Sequence, residues 1–486
     1  MLTGVNLLLR FVSTSFQVYL SGKIGPGGIG LLQLVMSTGA LAMTAGMAGI
    51  RTATMYLTAE ELGKQRPWNV TWILSACLLY SILCSGCVSV CLSLFAPWIA
   101  QNWIGDIRTV DALRLYACFI PVTCLCGVMI GYFTAANRIG TLAVIEVAEQ
   151  FLYISVCVLM LTFWVGADPS RACQGLILSS GLSACLTLLC LIILRIRENP
   201  PKGLPIPVKS RLLHTSVPLA LADDLRIGIS TTENLMVPKR LALYPGTADP
   251  LALFGTVCGM VFPILMFPAA ILFGLAELLI PELARCAAAG SKQRIAYLTQ
   301  RSLKITMLYG CICCGLEFLL AEELTWRLYK TNDAGTYLKL YALLIPMLYC
   351  DSITDAMTKG LGQQKACVRY NIITSSMDVL FLFLLLPKYG MMGYFFSFLV
   401  THLLNFLLSI GRLFRITGRV FSPSTPLLSA LGTAASMWAA SFVSAPFLRC
   451  CAFLLLLGCA LFLSGVLQKE DVRWLRGLVF HSDNPI

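Results

Sequence analysis

The chain has 486 residues, of which 57% are hydrophobic and 12% charged, and a formal net charge of +12; its mean hydropathy is +0.79. A soluble domain carries about 25% charged residues to cover its surface, so this composition excludes a water-soluble protein and calls for lipid as solvent. The positive balance does not point to nucleic acid, because most Lys and Arg sit in short connections between apolar runs and no nucleic-acid motif is present.

Apolar runs of about 20 residues, each long enough to cross a bilayer as a helix, predict about 14 spans. In chain order they cover 2–20, 29–58, 70–96, 112–136, 140–165, 172–195, 212–237, 251–284, 301–321, 336–358, 367–387, 391–413, 425–446 and 449–467. The runs are continuous rather than alternating, which argues against a β-barrel. Turn-forming sequences separate them, including Gly25-Pro26-Gly27-Gly28, Asn199-Pro200-Pro201, Tyr244-Pro245-Gly246 and Ser422-Pro423. No basic segment precedes the first run and no small-residue cleavage site follows it, so it reads as a retained helix.

Connections after even-numbered spans are the richer in Lys and Arg, among them Lys64, Arg138, Arg211, Lys292, Arg369 and Arg412. The positive-inside rule then places both termini, with the tail 468–486, in the cytoplasm. Most cysteines lie inside apolar runs, as Cys311, Cys313 and Cys314 do, and read as packing residues. His214, His402 and His481 are far apart in sequence and form no metal-ligand pattern.

The sequence also repeats. Arg114-Leu-Tyr-Ala-Cys-Phe-Ile-Pro121 matches Lys339-Leu-Tyr-Ala-Leu-Leu-Ile-Pro346, and the same offset aligns Gly30 with Gly255 and Gly49-Ile50 with Gly274-Leu275. This predicts an all-α integral membrane protein with two six-helix lobes, 1–196 and 212–415, followed by two additional helices, 425–467. An even number of spans per copy keeps both copies in one orientation, and a cavity between like bundles is a natural route for alternating access.

Ionisable residues deep in spans are costly and mark function by default. Arg10, Arg51 and Arg226 qualify, and a guanidinium fork suits phosphate. Arg226 also has Asp223 one helical turn away as a structural partner. The acidic set is Glu146, Glu149, Asp223, Asp224, Glu233, Glu277, Glu317, Asp351, Asp355 and Asp378. Asp351 and Asp355 share a helix face and are coupling-ion candidates; the bland reading has both facing an aqueous vestibule. No Walker A sequence and no large polar loop is present, so neither ATP hydrolysis nor another catalytic activity is expected. No catalytic residue, metal or cofactor is assigned.

Several ordered stretches resemble the stage V sporulation protein B family of the multidrug/oligosaccharidyl-lipid/polysaccharide flippase superfamily. They are Gly28-Ile-Gly-Leu-Leu-Gln-Leu34, Gly49-Ile-Arg-Thr-Ala53, Val147-Ala-Glu-Gln150, Glu233-Asn-Leu-Met-Val-Pro-Lys-Arg-Leu241, Gly259-Met-Val-Phe-Pro263, Leu279-Ile-Pro-Glu-Leu283 and Lys359-Gly-Leu-Gly-Gln-Gln364. The resemblance implies two lobes, two extra C-terminal helices and transport of undecaprenyl-linked cell-wall or polysaccharide precursors. It places Arg10 at a basic position of the first helix, and Gln17 where such proteins commonly carry a second basic residue. Glu149 and Glu233, inside two matching stretches, join Arg10, Arg51, Arg226 and Gln17 as substrate-binding candidates. The resulting expectation is a monomeric flippase in the bacterial cytoplasmic membrane. It meets a lipid-linked glycan, membrane lipids and cell-wall synthesis proteins, and no nucleic acid. A cation-coupled multidrug and toxin extrusion antiporter is the alternative, and a non-transporting scaffold the third reading.

Overall fold

The computed structural model describes residues 2–164, 169–198, 208–418 and 424–467; the side chains of 2–7 and of Arg10, and the tail 468–486, lie outside that description. All regular structure among the described residues is helical. Among the described residues nine helices are long and apolar enough to cross a membrane, and a tenth candidate is a bent pair, Pro250–Met266 with Ala269–Ala288, that turns by 60°. The stretches of the other expected spans are helical but miss that standard. Phe11–Gly63 holds two of them in one helical run. The run 209–241 carries eight charged residues, the run 333–360 is broken at Leu343–Leu344, and the helix starting at Ser424 has 17 residues. The protein is an all-α, multi-pass membrane protein.

The chain forms two compact units, Met1–Gly259 with Leu382–Gly390, and Met260–Phe381 with Met391–Ile486. In the first, α1 (Leu2–Met47) is followed by α2 (Ile50–Gly63), α3 (Pro67–Ile99), α4 (Val110–Ala135), α5 (Ile139–Phe163), α6 (Pro169–Arg197), α7 (Lys209–Leu241) and α8 (Pro250–Gly255). The break in α1 falls at Gly25, whose φ of 79° and ψ of 172° leave the helical region, with Pro26 next. The chain folds back there. Leu20 and Leu32 line one cavity, and Ser21 and Ile29 both reach Gly259. In a straight helix Leu20 and Leu32 would stand about 18 Å apart.

Close backbone approach fixes α1 against α8. A Cβ on Gly255 would sit 2.6 Å from Gly30 N, and one on Gly30 would sit 2.3 Å from the Leu251 carbonyl oxygen. Small residues permit such contacts where lipid offers no hydrophobic drive to pack. Gly30 and Gly255 are the pair aligned by the repeat, and here they are neighbours. The apolar centre of this unit gathers Ile50, Leu57, Ile73, Val128, Phe133 and Leu191, all nearly inaccessible.

The second unit holds α9 (Phe262–Met266), α10 (Ala269–Ala288), α11 (Lys292–Tyr329), α12 (Asp333–Ala342), α13 (Ile345–Gly360), the larger part of α14 (Gln364–Tyr389), α15 (Met391–Thr417), α16 (Ser424–Ala440) and α17 (Pro446–Leu463). Phe262, Tyr341, Phe395 and Phe398 form an aromatic cluster with centroids 5.3–5.8 Å apart. Gly315 on α11 leaves room for the buried Phe453 ring of α17, which a Cβ would meet at 2.0 Å.

Candidate transport site

Within the first unit, the turn of α1 that carries Gln17 packs on α5. Gln150 Nε2 donates to Ser13 Oγ at 3.2 Å, and the Phe16 and Tyr153 rings meet edge to face at 5.5 Å. Gln17 and Glu149 are both half-buried on these helices. One turn further along, Leu20, Met36, Tyr116, Phe119, Tyr153 and Ser180 help to line a mainly apolar cavity of about 190 Å³. Arg10 is on α1, but its side chain lies outside the described residues.

Arg51 stands in the first turn of α2, just after Gly49, whose φ of 69° ends the preceding run. Its carbonyl is pressed against α4 at Gly131, where a Cβ would come within 2.5 Å, while its side chain is exposed. Arg226 is exposed on α7, and no ion pair joins it to Asp223 among the described residues. The structural partnership considered for that pair is therefore not formed. Glu233 is half-buried on α7, next to Asn234, which donates to Ser37 Oγ at 2.9 Å, and near Thr231, which donates to the Ser37 carbonyl at 3.1 Å.

Two features of this unit escape sequence reading. Arg211 looks like a loop charge but lies in the first turn of α7, where it grips Glu60 at 2.8 Å and Glu61 at 2.9 Å across 150 residues. Glu60 also binds Lys64 at 2.5 Å, and Glu61 accepts from Asn69 Nδ2 at 2.9 Å. Only the i, i+4 pair Glu60–Lys64 had a local signal. The second feature is a cavity of about 580 Å³ bounded by Leu41, Trp103, Met236, Lys239, Arg240 and Phe383. The Arg240 guanidinium lies 3.2 Å from the Phe383 ring centroid, and Lys239 donates to the Asn102 carbonyl.

In the second unit Asp351 and Asp355 do not stand as a bare like-charge pair. Asp355 binds Lys359 at 2.6 Å, and Asp351 accepts from Asn405 Nδ2 at 3.1 and 3.2 Å. Asp378 accepts from Ser397 at 2.5 Å and Thr401 at 3.3 Å. No group of three or more His, Cys, Asp or Glu among the described residues is placed to hold a metal ion, and no disulfide joins the described cysteines.

The MatE family model matches residues 3–166 and 255–384, more than half of the chain. The chain belongs to the MatE family. It is 24% identical over 412 residues to stage V sporulation protein B of Bacillus subtilis, covering 81% of this chain and 78% of that protein. Its fold resembles the lipid II flippase MurJ in an inward closed conformation, with a TM-score of 0.70, 12% identity, and 94% and 97% of the two chains covered. It equally resembles an inward-facing multidrug resistance MATE transporter of the MOP superfamily, with a TM-score of 0.69, 13% identity, and 86% and 99% covered. This MatE protein has the fold of those membrane transporters and flippases. Arg10, Gln17, Arg51 and Glu149 fall in the first matched segment and Asp351 and Asp355 in the second, while Arg226 and Glu233 lie between the two.

Proposed function

We propose that the protein is a flippase that moves a lipid-linked oligosaccharide or cell-wall precursor of the undecaprenyl-pyrophosphate type from the cytoplasmic to the outer leaflet by alternating access. The observation that carries this reading is the state of Arg51 and Arg226. Both are exposed on membrane helices without an ion pair among the described residues. An arginine facing hydrocarbon costs roughly 2.5–3.5 kcal/mol on insertion scales, so these surfaces face water or an anion rather than acyl chains. A diphosphate supplies the compensating charge. Charge-assisted bonds to a guanidinium are worth about 1.5–3 kcal/mol each, enough to select such a headgroup and little enough to release it. Release requires that the contacts differ between the two access states. Arg10 is assigned the same role from its position in the sequence, and Gln17, Glu149 and Glu233 are assigned to the polar wall that meets the sugar.

The reading places the protein in the bacterial cytoplasmic membrane with both termini cytoplasmic. It treats 1–196 and 212–415 as copies of one bundle. The likeness to a sporulation protein and to a lipid II flippase supports a cell-wall lipid as cargo. Cation-coupled drug antiport is the second reading, favoured by the matching MATE fold; it would use the carboxylates in place of the arginines.

The deciding experiment compares Arg10→Ala, Arg51→Ala and Arg226→Ala for translocation of an undecaprenyl-pyrophosphate-linked glycan in proteoliposomes. Complementation of a flippase-deficient strain is the cellular counterpart. Each variant is expected to insert normally and to lose at least about tenfold in rate, the equivalent of one charge-assisted bond. Wild-type rates in all three variants would refute the proposal. Extrusion of organic cations that depends on Glu149 or Glu233 would favour antiport.

A further inference from the structure

Glu317 lies in α11 with 7% of its surface exposed, and neither carboxyl oxygen has a hydrogen-bond partner among the described residues. A carboxylate in that position would be a buried charge with no compensation, a state that proteins avoid by neutralising the group. The residue is not isolated along its helix. Thr299, Ser302, Thr306, Tyr309, Cys313 and Glu317 recur at intervals of three and four, which puts them on one face of α11. The face extends about 27 Å, close to the hydrocarbon thickness of a bilayer, about 30 Å. The hydroxyls of Thr299, Ser302 and Thr306 are buried and also lack partners among the described residues.

We infer that Glu317 is a proton-binding site, reached along the hydroxyl and thiol face of α11, whose loading links the second unit to an H⁺ gradient. An Oε lone pair takes a proton from hydronium and leaves water, and the reverse step returns it. A hard cation such as Na⁺ fits poorly, because it needs several oxygen ligands. Tyr309 donates to the Pro268 carbonyl and Tyr349 to the Leu265 carbonyl, and among the described residues Glu317 joins no group of three or more His, Cys, Asp or Glu placed to hold a metal ion. The remaining neighbours, Cys313 and Cys314, offer sulfur.

The titratable groups that face Glu317 are Tyr309, Cys313 and Cys314 on its own helix and Tyr349 on α13. Among the described residues no cation from a packed element pairs with it. Lys339 of α12 binds Glu322. Arg449 of α17 donates to the Leu319 carbonyl and binds Glu323, and Cys450 of α17 lies in the field of Glu323 and Arg449. On α13, Asp351 and Asp355 are held by Asn405 and Lys359. On α10, Arg285 binds Glu282, and Glu277 lies eleven residues before the end of α10, whereas Glu317 lies 25 residues after the start of α11. On α15, His402 stacks on Phe398 and Arg412 donates to Gln363, with Arg415 in the last turn. α16 contains no ionisable residue.

The test uses the full chain in lipid nanodiscs and H⁺ as the probe, so it stands or falls independently of the cargo. Infrared spectra of protein carrying ¹³C-labelled glutamate should retain a protonated-carboxyl band at neutral pH, and Glu317→Gln should remove it. Amide exchange in α11 and α13, corrected for intrinsic rates, should change severalfold between mildly acidic and mildly alkaline buffer. In Glu317→Gln it should stay flat at the acidic level. Thr306→Val should slow the response to a pH jump severalfold and leave its endpoint unchanged. The site is overturned if the labelled glutamates show only carboxylate bands at neutral pH, a measurement on wild-type protein that needs no variant to fold. It is also overturned if Glu317→Gln keeps the wild-type pH response. An unaltered rate in Thr306→Val would overturn the route along α11.

Discussion

Glu61 in the first unit and Glu317 in the second are buried to similar depth, 2% and 7% exposed. Glu61 accepts from Arg211 and Asn69, whereas Glu317 accepts from no described residue. The same side chain in the same kind of solvent thus serves two ends. Paired, it fastens α2 to α7 as a charge. Unpaired, it is stable only as a neutral acid. Burial alone does not tell a structural carboxylate from a working one; the partners do.

The sharpest way to break this contrast is to remove the partner. Arg211→Ala leaves Glu61 buried and Glu60 with Lys64 alone. Stranding a buried charge costs about 3–5 kcal/mol. Because the Arg211 side chain is 38% exposed, solvent relieves part of that and about 2–3 kcal/mol of stability should be lost. Thermal unfolding in nanodiscs, followed by tryptophan fluorescence, would measure it; an unchanged midpoint would mean that the clamp is ornamental. Glu61→Gln should cost less, about 1–2 kcal/mol, since an amide oxygen still accepts a hydrogen bond from Arg211 or Asn69. Glu317→Gln should cost under about 0.5 kcal/mol at neutral pH, because an amide replaces a neutral acid of the same shape. The two Gln variants lie in different units and should combine additively within about 0.5 kcal/mol. Strong coupling would show that the two glutamates are not independent.

The smallest effect belongs to an interfacial pair. Arg108 donates from its backbone and guanidinium to Asp106 and holds that carboxyl below its ordinary range. A depressed carboxylate contributes stability that is present above about pH 4 and is lost as pH falls through the lowered folded value. Asp106→Asn should therefore lose about 0.5 kcal/mol or less near neutrality, and its unfolding midpoint should converge on that of wild type in acid.

Much of the fold was legible because lipid imposes one rule, that backbone polar groups be satisfied within helices. Long apolar runs announce such helices, and those over 67–99 and 139–163 fall where hydropathy puts them. The run 209–241 was legible as the span 212–237 from its apolar residues even though its charges dilute that signal. The break within 333–360 comes just before Pro346, which cannot donate a backbone hydrogen bond. For the candidate site, residue type was legible and partnership was not. Asp355 was read with Asp351, four residues before it, while Lys359, four residues after it, holds the ion pair. The grip of Arg211 on Glu60 and Glu61 joins positions 150 residues apart, which a local pattern cannot encode.

The crossing of α1 and α8 has a mechanical consequence. Helices normally mesh side-chain ridges into grooves, and turning one against the other means lifting those ridges over each other. Where Gly30 meets Gly255 and the Leu251 carbonyl, backbone touches backbone, with the Leu251 side chain alongside. A rotation at that point would meet few interlocked ridges, as in a smooth bearing. A methyl group at either glycine would act as grit in it.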